Sequence, residues 1–220
     1  RLDLAVVKQG LANSRSEANG LIMGGRVFSG EVCLTKPGQL VLSDIQISVR
    51  GRLHPWVSRG GIKLNHALDH FEIDPSDAIA LDIGASTGGF TDVLLSKGAK
   101  KVYSIDVGYG QLDWKLRSDP RVIVLERTNA RNLTVDLVPE PISIVACDTS
   151  FIGLEKVLPT PLSFVTGPAY LVALIKPQFE VRRNEVGKRG VVRNPALHSE
   201  VSDRIQAWLN AKLHWSVLGV

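Results

Sequence analysis

The chain has 220 residues, 44% of them apolar, and its 26 Lys/Arg against 22 Asp/Glu leave a net charge of +4. That length leaves room for one large and one small domain, and no apolar run reaches the roughly 18 residues of a membrane span. Cys33 and Cys147 are too few and too isolated for a disulfide framework or a metal site, so no metal is expected.

The first residues lack the long apolar stretch and small-residue cleavage site of a signal peptide. The expectation is a chain of the reducing cytoplasm without membrane insertion, short of a few leading residues because it begins without Met. Residues 1–63 hold nine Lys/Arg against four acids. Positive charge concentrated in one small module points to a polyanionic partner. Residues 1–49 read as a compact α+β unit. Leu2, Leu4, Val6 and Val7 begin a short amphipathic helix ending near Gly10. Asn13 or Ser14 caps a second helix, with Glu17 three positions after Ser14 as a capping box, and Gly24-Gly25 ends it. Short strands are expected at 26–28, 32–34 and 46–49, with Lys36-Pro37-Gly38 as a turn. Arg15 and Arg26 flank the second helix and Lys36 sits in the turn, places suited to phosphate contacts.

This unit resembles the alpha-L RNA-binding motif. The resemblance is carried by Arg1-Leu2-Asp3, Gly10-Leu11, Ser14-Arg15, Ala18, Leu21-Ile22, Gly25, Val27, Lys36-Pro37-Gly38 and the closing stretch 45–49. One departure is Phe28-Ser29-Gly30, where the motif usually has Val-Asn-Gly. The resemblance implies RNA binding through Arg1, Arg15 and Lys36.

Residues 50–58 read as a linker restrained by Pro55, with Trp56 as a packing anchor, and 59–220 as the second domain. Ile62, Leu64, Ala67, Leu68 and Phe71 mark a helix. The run 79–83 has the pattern of a buried parallel strand; the small-residue loop 84–89 follows, and Phe90, Val93, Leu94 and Leu95 fall at helical spacing. A strand, a glycine loop and a helix start present backbone N–H groups to a ligand at the carboxyl edge of a parallel sheet. Further strands are expected at 102–105, 122–125, 142–146 and 169–175, and a sixth begins at 215–220. Helices are expected at 109–117, 133–137, 154–158 and 198–213, and a basic loop at 180–193. Alternating strands and helices mean an α/β, doubly wound parallel sheet, with a small N-terminal α+β domain.

The glycine spacing is not the dinucleotide fingerprint, because Ser86 stands two positions after Gly84. Asp106 lies at the tip of the second strand, where an acid grips a ribose hydroxyl pair, so the expected ligand is a nucleoside-bearing cofactor. Lys63, Asp148 and Lys176 fall where strands or their equivalents end. Low polarity and a second cation beside Lys176 would make its neutral amine accessible as a base, whereas a strand-end lysine is ordinarily a solvated residue. Asp148 could orient that lysine, sit near a cationic cofactor centre, or simply cap a helix.

The joint pattern resembles the TlyA family of haemolysin-like ribosomal RNA ribose methyltransferases, whose catalytic domain is similar to FtsJ-type 2′-O-methyltransferases. It is carried by 56–64 (WVSRGGIKL), 82–92 (DIGASTGGFTD), 106–112 (DVGYGQL), Asp148 with Ser150-Phe151-Ile152, and 176–180 (KPQFE). The resemblance implies a Rossmann-like methyltransferase sheet, S-adenosylmethionine as cofactor, and ribosomal RNA or ribosomal subunits as partner. It makes Lys63, Asp148 and Lys176 catalytic. A fourth family residue, a Glu in a last strand, is expected to be missing from a truncated chain, since the sequence stops at Val220 and Glu200 belongs to a flanking helix. Cofactor contacts are implied at Asp82, Gly84, Ser86, Gly88, Phe90, Asp106, Asn129 and Asp148. RNA contacts are expected at Arg1, Arg15, Arg26, Lys36, Arg59, Arg182, Arg183, Lys188 and Arg189. The alternatives are a membrane-active haemolysin and a non-catalytic RNA-binding assembly factor.

Overall fold

The computed structural model describes residues 1–51, 54–211 and 215–220. Arg52 and Leu53 of the expected linker, and the last two positions of the helix expected at 198–213, lie outside the described residues. The contacts divide the chain into two compact units, Arg1–Lys63 and Leu64–Val220.

In the first unit, α1 (Leu2–Lys8) packs on α2 (Arg15–Met23) beside a small sheet of β1 (Val27–Ser29), β2 (Val32–Cys33) and β3 (Ser48–Val49). The sheet is antiparallel in the order β2-β1-β3, with Phe28 opposite Cys33 and Val27 opposite Val49. Leu2 and Val6, four apart on one face of α1, meet Ala18 and Ile22, four apart on α2, together with Val27 and Leu34. Ser14 caps α2 as expected, its Oγ accepting from Glu17 N at 3.1 Å. The Glu17 carboxylate reaches back one residue further than in a capping box, to Asn13 N at 2.8 Å. The first strand keeps its expected length but is shifted by one residue, while β2 and β3 are shorter than the sequence suggests, each pairing with two residues of β1. Further on, Trp56 lies over Gly61, where a Cβ would stand 2.5 Å from the indole.

The helix α3 (Gly60–His70) carries the boundary between the units. The second unit continues with β4 (Ile79–Ile83), α4 (Gly89–Ser96), β5 (Lys101–Ile105), α5 (Trp114–Arg117), β6 (Val122–Leu125) and β7 (Ile144–Cys147). After these come α6 (Leu154–Val157), α7 (Pro159–Leu162), β8 (Tyr170–Ala173), α8 (Pro177–Glu180) and α9 (Pro195–Ala211). Its five strands are parallel in the order β6-β5-β4-β7-β8. The first strand in sequence, β4, is therefore central, and the direction of winding reverses beside it. A ligand crevice belongs at the carboxyl edge of that position. Leu81, Ile83, Ile105, Val145 and Cys147 from the three middle strands join Leu154, Leu158 and Ile205 in the main core.

Three expectations fail locally. Residues 133–137 form no helix, because Leu133 and Val138 are both buried but five apart, off any single helical face, and Pro139 and Pro141 follow. A 3₁₀ turn at Ala130–Asn132 replaces it. The helix expected at 109–117 begins only at Trp114, capped by Asp113, since Gly110 at φ +68° turns the chain first. Residues 215–220, expected as a strand, run without strand pairing among the described residues. Between them, β8 and α9 lies a cavity of about 380 Å³ lined by Leu171, Ala173, Leu209 and Trp215.

Candidate active site

The glycine loop is built by close approach. Gly84 follows β4 at φ +83°, and a Cβ there would stand 3.0 Å from the Asp148 carbonyl oxygen. Only glycine allows β4 and β7 to end that close together. The N–H groups of Gly84 and Ala85 both donate to Ile105 O, at 2.9 and 3.1 Å. At Gly88 the chain again needs a left-handed residue (φ +94°), and a Cβ would overlap Leu116. The chain then enters α4, whose first turn buries Phe90 and Thr91. Between the glycines, Ser86 adopts φ +49°, a sparsely populated conformation for a residue with a side chain. Its N–H donates to Asp106 Oδ2 at 2.8 Å and its hydroxyl to Gln111 Oε1 at 3.3 Å.

Asp106 stands one residue beyond β5, as the sequence indicates. Its second oxygen accepts from Gly108 N at 2.7 Å. A small crevice of about 10 Å³ lies over it, lined by Ser86, Gly108, Gln111, Leu112 and Glu126. Arg127 N and Thr128 N donate to Gly108 O and Asp106 O, which pins the stretch before Asn129 to the same corner. The Asn129 side-chain oxygen accepts from Arg131 N at 3.1 Å and caps the 3₁₀ turn.

Beneath the loop, Asp82 is fully buried in β4. One oxygen accepts from Thr91 N at 2.9 Å and from Thr91 Oγ1 at 2.6 Å, and Thr91 also pairs with Ser104 Oγ at 2.7 Å. Among the described residues the other carboxylate oxygen has no hydrogen-bond partner. Burial pushes the Asp82 carboxyl up to about 7; Thr91 opposes the rise, and the Asp148 and Asp106 carboxylates add to it. The neighbouring Cys147 thiol is pushed up to about 11, again by burial.

The Asp148 and Lys176 side chains meet. Asp148 follows β7 and Lys176 lies three residues past β8, and Lys176 Nζ sits 2.5 Å from Asp148 Oδ1. The ammonium also donates to Thr149 O at 2.7 Å, Ser150 Oγ at 3.2 Å and Asp148 O at 3.3 Å. These surroundings are rich in oxygen acceptors, not the low-polarity setting expected from the sequence, and they suit a charged donor. Next to the pair, Phe151 is 91% exposed at φ +68°, its ring 5.2 Å from that of Phe179. Glu180 ties α8 to α6 and α9: it accepts from Leu154 N at 2.8 Å and pairs with Arg204 at 3.2 Å. Arg204 in turn donates to Glu180 O at 3.0 Å and to Glu155 at 2.5 Å.

The remaining expected residues lie on the surface. Lys63 is an exposed residue of α3, Arg59 is exposed just before it, and Glu200 is exposed on α9. Arg182, Arg183, Lys188 and Arg189 are all exposed on the loop after α8. In the first unit Arg1 and Arg15 both bind Asp3, Lys36 is exposed, and Arg26 turns its Nε toward Arg50 O at 3.3 Å. Sequence reasoning assigned no role to Phe151, Phe179, Gln111 or Asp3. For Phe151, an aromatic three residues beyond a strand-end acid was the available signal. Among the described residues no cluster of His, Cys, Asp and Glu could hold a metal ion, and no helix is long and apolar enough to cross a membrane.

Residues 56–220 match the family described as FtsJ-like methyltransferase, and residues 1–45 match the S4 domain. The chain is similar to YqxC of Bacillus subtilis, at 46% identity over 93% of this chain and 73% of that protein. It is also similar to the 16S/23S rRNA (cytidine-2′-O)-methyltransferase TlyA of Mycobacterium tuberculosis, at 44% identity over 100% of this chain and 82% of the relative. A solved structure of a Streptococcus thermophilus protein named as a hemolysin superposes with a TM-score of 0.72 at 41% identity, covering 94% of this chain and 76% of that one.

Proposed function

The chain belongs to the FtsJ-like methyltransferase family, and on that premise we propose that it methylates a ribose 2′-hydroxyl of ribosomal RNA with S-adenosylmethionine. The observation that carries this reading is the Asp148–Lys176 pair at the ends of β7 and β8, beside the loop that opens at Gly84. The domain division proposed is 1–49 for RNA binding, 50–58 as linker and 59–220 for methyl transfer.

The loop fits such a cofactor on its own terms. A Cβ at Gly84 would fill the cradle, Asp82 leaves one buried oxygen unpartnered below it, and Asp106 offers a carboxylate at the neighbouring strand end. Gly84, Ser86, Gly88, Phe90 and Asp82 would hold the methionine part, Asp106 the ribose hydroxyls, and Asn129 the adenine, with Asp148 serving both ligands. When bound, the cofactor supplies an electrophilic methyl group on a sulfonium. Lys176 Nζ holds the ribose O2′ and stabilises the negative charge it gains. Asp148, already paired with that ammonium, is the nearest acceptor for the hydroxyl proton. Lys63 is assigned the second cation of the set. Most of the acceleration comes from alignment of acceptor and methyl group. Phe151, exposed beside the pair, offers a face on which an unstacked base can rest.

Arg1, Arg15, Arg26, Lys36 and Arg59, with Arg182, Arg183, Lys188 and Arg189, are assigned to RNA phosphates, so binding should weaken steeply with salt. The test is calorimetric titration of S-adenosylmethionine into the chain and its Asp106→Ala variant, followed by methyl transfer to ribosomal RNA. Binding lost in the variant, with product carrying a 2′-O-methyl ribose, is the expected result. A folded chain that binds RNA but takes up no cofactor, with or without RNA, would sink the proposal.

A further inference from the structure

Asp3 is the one acid in the basic N-terminal face that is completely buried, and it holds two arginines at once. Its Oδ1 accepts from Arg1 Nε and from Leu4 N, each at 3.0 Å. Its Oδ2 accepts from Arg1 Nη2 at 3.0 Å, from Arg15 Nη2 at 2.8 Å and from Arg15 Nε at 3.2 Å. The two guanidinium groups therefore share one oxygen, although Arg1 precedes α1 and Arg15 opens α2. These partners, Arg1 first and then Arg15, hold the Asp3 carboxyl well below the usual carboxylate range.

Each guanidinium commits only part of its five N–H donors to Asp3 and keeps the rest for a ligand. Both arginine side chains remain about half exposed, at 47% and 58%, while Asp3 is at 0%. The Lys36-Pro37-Gly38 turn is fixed to the same corner. Leu2 N donates to Gln39 O at 2.8 Å, Asp3 N donates to Pro37 O at 3.0 Å, and the Arg1 guanidinium lies 3.8 Å from where a Gly38 Cβ would stand.

We propose that Asp3 is a positioning residue that locks Arg1 and Arg15 into a two-pronged claw for a single RNA phosphate, with Lys36 at its edge. This rests on the reading of the first unit as an RNA-binding module. The physical gain is preorganisation: two long side chains are held in binding geometry before the ligand arrives, so less rotamer freedom is lost on contact. Asparagine cannot replace the carboxylate. With one oxygen fewer, it would set an amide N–H₂ against N–H donors.

Charge and geometry predict opposite signs for Asp3→Asn, which makes the proposal decidable. Removing a negative charge from a basic face favours a polyanion, so on charge alone the variant binds RNA more tightly. The claw predicts about tenfold weaker binding of a ribosomal RNA transcript to the full chain, with the slope of log K against log salt shallower by about 1. Arg1→Lys/Arg15→Lys, which keeps both charges and Asp3 but loses the forks, should reproduce the loss and serves if Asp3→Asn fails to fold. Tighter or unchanged binding by folded Asp3→Asn, or wild-type affinity in the lysine pair, overturns the claw. If Arg15→Ala and Lys36→Ala also leave affinity unchanged, the RNA-module reading falls with it; if they weaken binding, only the positioning role is lost.

Discussion

Replacing Asp82 by Asn tests the electrostatics under the glycine loop. The folded carboxyl sits near 7 and an ordinary aspartate near 3.8, a gap that corresponds to about 4 kcal/mol. Between these two values the folded chain keeps a proton that the unfolded chain has released. The unfolded state then binds fewer protons, so stability falls as pH rises from about 4 to about 7 and levels off above. Between about pH 5 and about pH 8 the wild type should lose about 3 kcal/mol more than Asp82→Asn, which has no proton to give up. Urea unfolding of both proteins at the two pH values measures that difference directly, because titrations common to both cancel. The Asn oxygen can still accept from Thr91, so the variant retains the tie between β4 and α4. Equal pH dependence in the two proteins would refute the reasoning. A second arm uses the ligand: a cation bound in the loop favours the charged carboxylate and should expel its proton. Calorimetry near pH 6 in two buffers of different ionisation enthalpy should detect that release in the wild type and not in Asp82→Asn.

Three further outcomes follow from the geometry. Lys176→Met keeps the length of the side chain but removes the donor beside Asp148, so methyl transfer should fall at least about 100-fold; cofactor affinity that collapsed in parallel would argue against a role in the chemical step. Glu180→Ala unties α8, which follows Lys176, from α6 and α9, and a reduced kcat with unchanged cofactor affinity is expected, with Glu180→Gln milder because it can still accept from Leu154 N; wild-type kcat in Glu180→Ala would show the tie to be dispensable. Gly88→Ala combines a left-handed backbone with overlap on Leu116, and thermal or urea unfolding should show a loss of about 2–5 kcal/mol, against which a melting temperature within about a degree of wild type would count.

The sheet was legible because each of its strands is a short apolar run closed by a punctuating residue, as at Gly84, Asp106 and Asp148. Residues just past the strand ends gather along one edge of an open parallel sheet, so the positions of Asp106, Asp148 and Lys176 at that edge could be read from the sequence. What periodicity could not supply was the irregular chain. Leu133 and Val138 are buried without sharing a helical face, and the bend at Gly110 delays α5; both depend on tertiary packing. The polarity around Lys176 was also out of reach, since two of its four oxygen partners are the backbone carbonyls of Asp148 and Thr149 and all four lie 26–28 residues away in sequence. The Glu180–Arg204 tie links side chains 24 residues apart, and a single sequence has no means of pairing them. Asp3 was visible as a residue of a motif, but its burial between two arginines was not.

The strand order sets a timetable for folding. In the first unit β1 pairs with strands that begin within about two dozen residues of it, so its contacts can close as soon as that stretch of chain exists. The central strand β4 has no such advantage: it pairs with β7, whose residues come more than 60 positions later in the chain. During synthesis from the N-terminus, the basic unit can therefore complete its core while β4 still lacks one of its two neighbours. For a protein whose proposed substrate is the RNA of the machine that makes it, the arginine-bearing face is finished first, beside the ribosome, and the proposed methyl-transfer pocket closes only when Asp148 and Lys176 have emerged.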